Sequence, residues 1–454
     1  MSDDQVSTDG GDEADSSCIW QKLEPSSSGL PEAEPAGRCG HVAVSSGNGK
    51  RLVVFGGYNA EGILSDVWDL DLENREWSRV NLAAGPSPPQ RAYFRGCAGP
   101  PPPGGDARAG ADTFSYVFGG ADAEEGNASN DLWCLDVERR SWHAVHPGGS
   151  AGGGGESGTI PCARSNHSMC RMNDVLVVHG GESRTGSLLS DLWIFDTRDA
   201  SWTEDVASPR AGPSPCPRSS HCLAYAGRRP AEEESRSGVG SLCLFGGLGQ
   251  DDADEEEEEE ESGEADGVVP LNDLWVLSPV CARGLLDGGA VEGRPAPVWS
   301  LVLLDGVGPS PRSLAALTAR TCCGDDGSSD VCTELLLFGG YGLVELPTPA
   351  AIDTSDHDGS SEEGGGGDII MAYIDDLWLL RLEAMSGDGV TMEAAAAVSS
   401  STGWVDEEAM GFAGPSTVEG RNGHTLTLCG DRIVLFGGFV GDGFDAGVQV
   451  AEAP

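Results

Sequence analysis

The sequence predicts an all-β chain folded as a six-bladed propeller, each blade a four-stranded antiparallel sheet. Three observations lead there. Six short apolar runs each end in a glycine pair, and all 11 tryptophans occupy places in the same repeating frame. Helical periodicity is absent, and turn-forming residues bound every apolar run. Self-similar units of roughly 40–70 residues, each read as four short strands, indicate a propeller.

Each unit runs through strands a to d. An arginine stands at the start of strand a: Arg38, Arg91, Arg164, Arg218, Arg312 and Arg421. In four units a histidine follows three residues later: His41, His167, His221 and His424. Strand b ends at the glycine pair: Gly56-Gly57, Gly119-Gly120, Gly180-Gly181, Gly246-Gly247, Gly339-Gly340 and Gly437-Gly438. Here the chain must turn with positive φ in little room. Strand c carries Asp-x-Trp in five units, at Trp68, Trp133, Trp193, Trp275 and Trp378. Its aspartate is placed to accept backbone N–H bonds in the turn. Strand d carries a second tryptophan, at Trp77, Trp142, Trp202, Trp299 and Trp404. The tryptophans are expected to be core residues packed between neighbouring blades, each contributing about 2–3 kcal/mol by burial.

The last unit has strands a and b and then runs out of tryptophans. Trp20 stands before the first unit and is the one tryptophan left over. It is expected to supply strand d of the last blade, joining the two ends of the chain in one sheet and removing an exposed edge. Strand c of that blade is expected near residues 447–450; it lacks Asp-x-Trp, as in a degenerate repeat or a chain cut short.

The glycine pairs, the spaced tryptophans and the four-strand units resemble the kelch repeat over roughly residues 18–450. The Asp-Leu-Trp form is similar to that of host cell factor and of the Rab effectors and cell-polarity proteins with kelch motifs. The resemblance implies a propeller that binds other proteins. Some kelch propellers are enzymes, which sets the alternative: a galactose-oxidase type, with copper held by tyrosines and histidines, or a specifier-protein type with an iron triad. The six tyrosines form no asymmetric set with His and Cys, no Glu-xxx-Asp-xxx-His is present, and no phosphate loop or dinucleotide fingerprint occurs. The expectation is therefore a scaffold or adaptor with no catalytic residue, metal or cofactor.

Composition bounds the partners. The formal charge is −47, from 74 acidic and 27 basic residues. Such a surface repels nucleic-acid phosphates and anionic membranes. Residues 1–16, 251–266 and 353–368 hold 24 of the acidic groups and no Lys or Arg. They read as solubilising disordered segments, or as a docking site for a basic partner. The expected layout is an acidic, disordered N-terminus over 1–17 and a propeller over 18–454 with disordered insertions at 249–268 and 344–370. No apolar run spans a bilayer and the N-terminus has no signal-peptide form, so a cytoplasmic or nuclear monomer is expected, its 14 cysteines unpaired. No BTB, F-box or coiled-coil region is expected before the first strand.

The strand order puts the b–c and d–a loops on one face. The six arginines are expected there near the central opening, either bonded to local carbonyls and aspartates or meeting a partner's carboxylates.

Overall fold

A computed structural model describes residues 20–24, 34–103, 113–122, 127–148, 160–205, 213–227, 240–250, 267–286, 296–303, 308–323, 331–345, 369–383 and 418–452. Among them the one helix is Ala282–Leu286; the regular structure is otherwise antiparallel strand.

The first repeat shows the local logic. Val42–Ser46 alternates buried and half-buried residues, as an innermost strand lining a channel does. Arg51–Phe55 follows, its Leu-Val-Val-Phe stretch buried throughout because the sheet is covered on both faces. Val67–Asp71 pairs with it in register, Val54 opposite Trp68, and Glu76–Arg79 forms the outer edge. The second repeat has Arg95–Gly99, Phe114–Phe118, Leu132–Asp136 and Ser141–His146 in the same order. The third has Ser168–Met172, Val175–Ser183, Leu188–Asp196 and Ser201–Glu204, and the fourth Cys222–Gly227, Gly240–Gln250, Val268–Val280 and Val298–Leu301. In the fifth, Ala316–Cys323, Val331–Phe338 and Leu377–Glu383 pair; the expected outer strand at Trp404 lies outside the described residues.

The last sheet joins the two ends of the chain. Thr425–Cys429, Arg432–Phe436 and Val448–Glu452 are followed at the edge by Gln21–Lys22, with Gln21 opposite Val450 and Lys22 opposite Gln449. The innermost strands touch in cyclic order: first to second, on through to the sixth, and the sixth back to the first.

Apolar clusters lie between successive sheets. Each outer-strand tryptophan among the described residues meets the strand b aromatic, or its substitute, of the preceding repeat. Trp142 packs on Phe55 at 5.6 Å between ring centres, Trp202 on Phe118 at 5.1 Å, and Trp299 on His179 at 5.9 Å. Trp20 packs on Phe338 at 5.6 Å and Trp77 on Phe436 at 5.4 Å. Trp20 is 3% exposed.

The two long insertions have edges made of strand. Gln250 pairs with Val268 and Glu345 with Ile369, so Gly249-Gln250, Val268, Val344-Glu345 and Ile369-Ile370 are ladder residues, contrary to the expected disorder over 249–268 and 344–370. The acidic runs 1–16, 251–266 and 353–368 lie outside the described residues.

Candidate functional site

The six arginines do the same work in every repeat. Each projects a fork onto one aspartate: Arg38 on Asp66 (2.7 and 3.0 Å), Arg164 on Asp191 (2.6 and 2.7 Å), Arg218 on Asp273 (2.7 Å twice), Arg91 on Asp131 and Arg312 on Asp376. Arg421 donates to Asp445 at 2.5 Å. Each also donates to the carbonyl of the first glycine of its own pair, from Gly56 to Gly437, and through Nε to the carbonyl two residues before itself. In four repeats the same aspartate accepts the indole N–H of the tryptophan two residues on: Trp68, Trp133, Trp193 and Trp275.

This corrects one expectation. In these four repeats the strand c aspartate takes a guanidinium and an indole where backbone N–H groups were expected, because the buried arginine is the stronger donor. Of the two readings of the six arginines, the contacts among the described residues are those of the local one, bonding to carbonyls and aspartates. Arg38, Arg91, Arg164, Arg218, Arg312 and Arg421 are between 0 and 5% exposed with their donors already bonded, and a partner would have to displace a buried ion pair. Burial pushes the carboxyls of Asp66 and Asp191 up, but their arginine and indole donors outweigh it and hold both below the usual range.

A second ring-shaped feature surrounds the channel mouth. The residue two after each arginine has a left-handed backbone: Gly40, Tyr93, Asn166, Ser220, Leu314 and Gly423, with φ between 52° and 61°. Their amides pass hydrogen bonds from repeat to repeat: Asn166 to the Tyr93 carbonyl (3.0 Å), Ser220 to Asn166 (2.7 Å), Leu314 to Ser220 (3.0 Å), Gly423 to Leu314 (3.1 Å) and Gly40 to Gly423 (2.9 Å). The belt is open at one step, from Tyr93 back to Gly40. Tyr, Ser and Leu resist this conformation, which is why the feature is hard to see in the sequence.

The strand a histidines are buried among the rings of the repeat core. His41, His167 and His424 pack edge-on against the preceding strand b phenylalanine, Phe436, Phe118 and Phe338. His221 meets His179, which stands where the other repeats have phenylalanine, with Nδ1 of His179 3.0 Å from Nε2 of His221. Burial pushes all five imidazoles down, those of His179 and His424 to about 3.

Beside the mouth lies an arc of six half-buried aromatic rings from four repeats. Tyr341 meets Tyr373 (5.1 Å), Tyr373 meets Phe439 (5.7 Å), Phe439 meets Phe444 (5.1 Å), Phe444 meets Tyr58 (5.6 Å) and Tyr58 meets Tyr93 (5.2 Å). Tyr93 donates its hydroxyl to that of Tyr58 at 2.6 Å. Tyr58, Tyr341 and Phe439 each directly follow a glycine pair, which is the sequence signal that marks them.

This frame is that of the kelch repeat, and comparison with known proteins agrees. The family described as the KLHDC2/KLHL20/DRC7 Kelch-repeats domain matches residues 15–229 and 105–321. The chain belongs to the kelch-repeat family. It is 31% identical over 300 residues to Adagio protein 3 of Arabidopsis thaliana, covering 59% of this chain and 41% of that protein. It is 26% identical over 375 residues to host cell factor of Drosophila melanogaster, covering 79% of this chain and 19% of that one. To the Rab9 effector protein with kelch motifs of Xenopus laevis it is 27% identical over 214 residues, 46% of this chain and 51% of that protein. The chain spans about two-fifths of the length of the Adagio relative. No helix among the described residues is long and apolar enough to cross a membrane.

Proposed function

We propose that the six repeats form one closed, six-bladed propeller, with Gln21–Lys22 as the outer strand of the last blade, and that it is a cytoplasmic or nuclear scaffold for other proteins and not an enzyme. The aromatic arc carries this reading. Half-exposed tyrosine and phenylalanine rings, held in place by the ladder beneath them, are the side chains that dominate binding energy at protein interfaces. The arginines and strand a histidines are absorbed into the repeat frame, which leaves the loops after the glycine pairs as the variable surface. One relative is by name an effector of Rab9, which supports a role in binding proteins.

The partner that fits is a basic segment. Lysine or arginine side chains lie well over ring faces, and a surface of formal charge −47 draws such a segment in. Affinity purification with mass spectrometry tests this, using the full chain, the Tyr58→Ala/Tyr373→Ala variant and a chain lacking 251–266. The arc variant should lose its main partners while melting as a folded protein. Deletion of 251–266 should weaken basic partners, more at low salt than at moderate salt. An unchanged partner set from a folded arc variant would move the site to the a–b loops of the opposite face.

A further inference from the structure

One cation in the channel has no counter-charge among the described residues. Arg95 stands four residues after Arg91, at the start of the second innermost strand. The equivalent positions, four after each ring arginine, are Val42, Ser168, Cys222, Ala316 and Thr425. Five are small, apolar or hydroxylated, and one is a guanidinium. A group that breaks a sixfold pattern at a lining position asks for a local reason.

The side chain is half-buried, and its one side-chain hydrogen bond among the described residues runs from Nη1 to the carbonyl of the adjacent Phe94 at 3.2 Å. No carboxylate among the described residues pairs with it, in a chain carrying 74 acidic residues that gives each of the six ring arginines its own aspartate. Loss of water around it pushes its pKa down, and the other groups it senses are Cys222 and Tyr93, neither of them an anion at neutral pH. Its charge in turn is felt by His41, His167 and His221, which belong to three other repeats, so the guanidinium sits within reach of the channel's far walls.

The space around it is real. A cavity of about 150 Å³ is lined by Arg95 together with His41, Ser168, His221, His424 and Thr425. That is well above the roughly 10–15 Å³ a single water needs. The belt of inter-repeat hydrogen bonds is open at the junction between the first and second repeats, which is the junction Arg95 belongs to.

We propose that this channel is a binding site for one small oxyanion, a phosphate or a carboxylate, held by the Arg95 guanidinium. A planar fork of donors in a part-dehydrated channel suits two oxygens of one anion. The surface acids do not forbid it, because charges beyond about 8 Å of solvent are screened at physiological salt. The site is separate from the aromatic arc and from any basic partner bound there, so either reading can fail without the other. Bound anion would stabilise the folded chain by mass action. Two sources supply this chemistry: a free ion, or an acidic side chain from a partner reaching into the mouth.

The test uses the full chain at constant ionic strength. Phosphate, formate and chloride are titrated against wild type, Arg95→Met, Arg95→Lys and the surface control Arg51→Gln, read by calorimetry and by melting temperature. Wild type and Arg51→Gln should bind phosphate or formate saturably at one site and melt higher with it, while chloride does neither. Arg95→Met should weaken binding about tenfold or more, and Arg95→Lys should keep much of it. Competition by a tetraglutamate peptide then assigns the source: displacement of phosphate points to a partner's carboxylate, its absence to a free ion. Failure of wild type to bind phosphate and formate saturably overturns the proposal, as does equal binding by Arg95→Met. If Arg95→Met does not fold, the wild-type isotherm and Arg95→Lys still decide it: binding lost in wild type, or indifferent to anion identity, ends the proposal.

Discussion

Removing Asp191 strands a fully buried charge. The Arg164 side chain is 0% exposed and Asp191 is 26% exposed. Asp191→Ala takes away two carboxylate bonds to the guanidinium and the acceptor of the Trp193 indole, at 2.7 Å. Arg164 keeps only the Gly180 and Cys162 carbonyls and a contact to the Cys162 thiol. Breaking a buried pair from one side costs about 3–5 kcal/mol. Since Asp191 is about a quarter exposed, water can reach the vacated position, and the lower end, about 3 kcal/mol, is expected. Asp191→Asn retains one acceptor and should cost about 1–2 kcal/mol. The double change Arg164→Met/Asp191→Ala leaves no stranded charge and should cost less than Asp191→Ala alone. Urea unfolding with unchanged m-values measures all three. A loss below about 1 kcal/mol for Asp191→Ala, or a double variant no better than the single, would refute the structural role assigned to the arginine ring.

Acid should unfold the chain early. His41, His167, His179, His221 and His424 have folded pKa values below the ordinary 6.5 because of burial. Their contribution is present above about pH 6.5 and is lost as pH falls from there toward the folded values, each by up to about 1.4 kcal/mol per pH unit. The melting temperature should be flat above pH 7 and fall steeply below 6, and a flat curve to pH 4.5 would contradict the buried neutral histidines. The lowered carboxyls of Asp66 and Asp191 add to the loss at still lower pH, since their stabilisation disappears as pH falls through their depressed values. Gly437→Ala tests the approach of the last repeat to the first: φ is 70° and a Cβ would sit 2.6 Å from the Arg38 carbonyl, while the next amide, Gly438, donates to that same carbonyl at 2.8 Å. It should cost more than about 2 kcal/mol by chemical denaturation, against a few tenths for Gly85→Ala in open space.

The repeat frame was legible because burial imposes it six times over. Glycine pairs, Asp-x-Trp and the outer tryptophans are each demanded by close approach between sheets, so they recur. What recurs in backbone alone left no such trace. The left-handed belt is occupied by Gly, Tyr, Asn, Ser, Leu and Gly, and only the two glycines and Asn166 carry a local preference for that conformation. The last repeat concealed its aspartate for a related reason. Asp445 is followed two residues later by Gly447 in place of tryptophan, and the Gly447 amide takes over the bond to Asp445 at 2.9 Å that an indole makes elsewhere. The motif was gone while the ion pair to Arg421 remained. Strand c was expected at 447–450 and is found at Val448–Glu452. The arginines were expected at the start of strand a and stand four residues before it, and the sequence alone did not show how far aspartates and glycine carbonyls absorb their donors. Trp404, the outer tryptophan of the fifth repeat, lies outside the described residues.

Whether the two ends of the chain share one sheet is decided most directly by removing one of them. A chain lacking residues 1–24 loses Trp20 from its pocket against Phe338 and the Gln21–Lys22 strand from the edge of Val448–Glu452. Loss of that tryptophan alone should cost about 3–5 kcal/mol, and the bared edge adds a template for aggregation. Thermal unfolding followed by circular dichroism should show the truncated chain melting well below the full chain, or aggregating before it melts. A truncated chain with the melting temperature and cooperativity of the intact protein would contradict closure by the N-terminal strand.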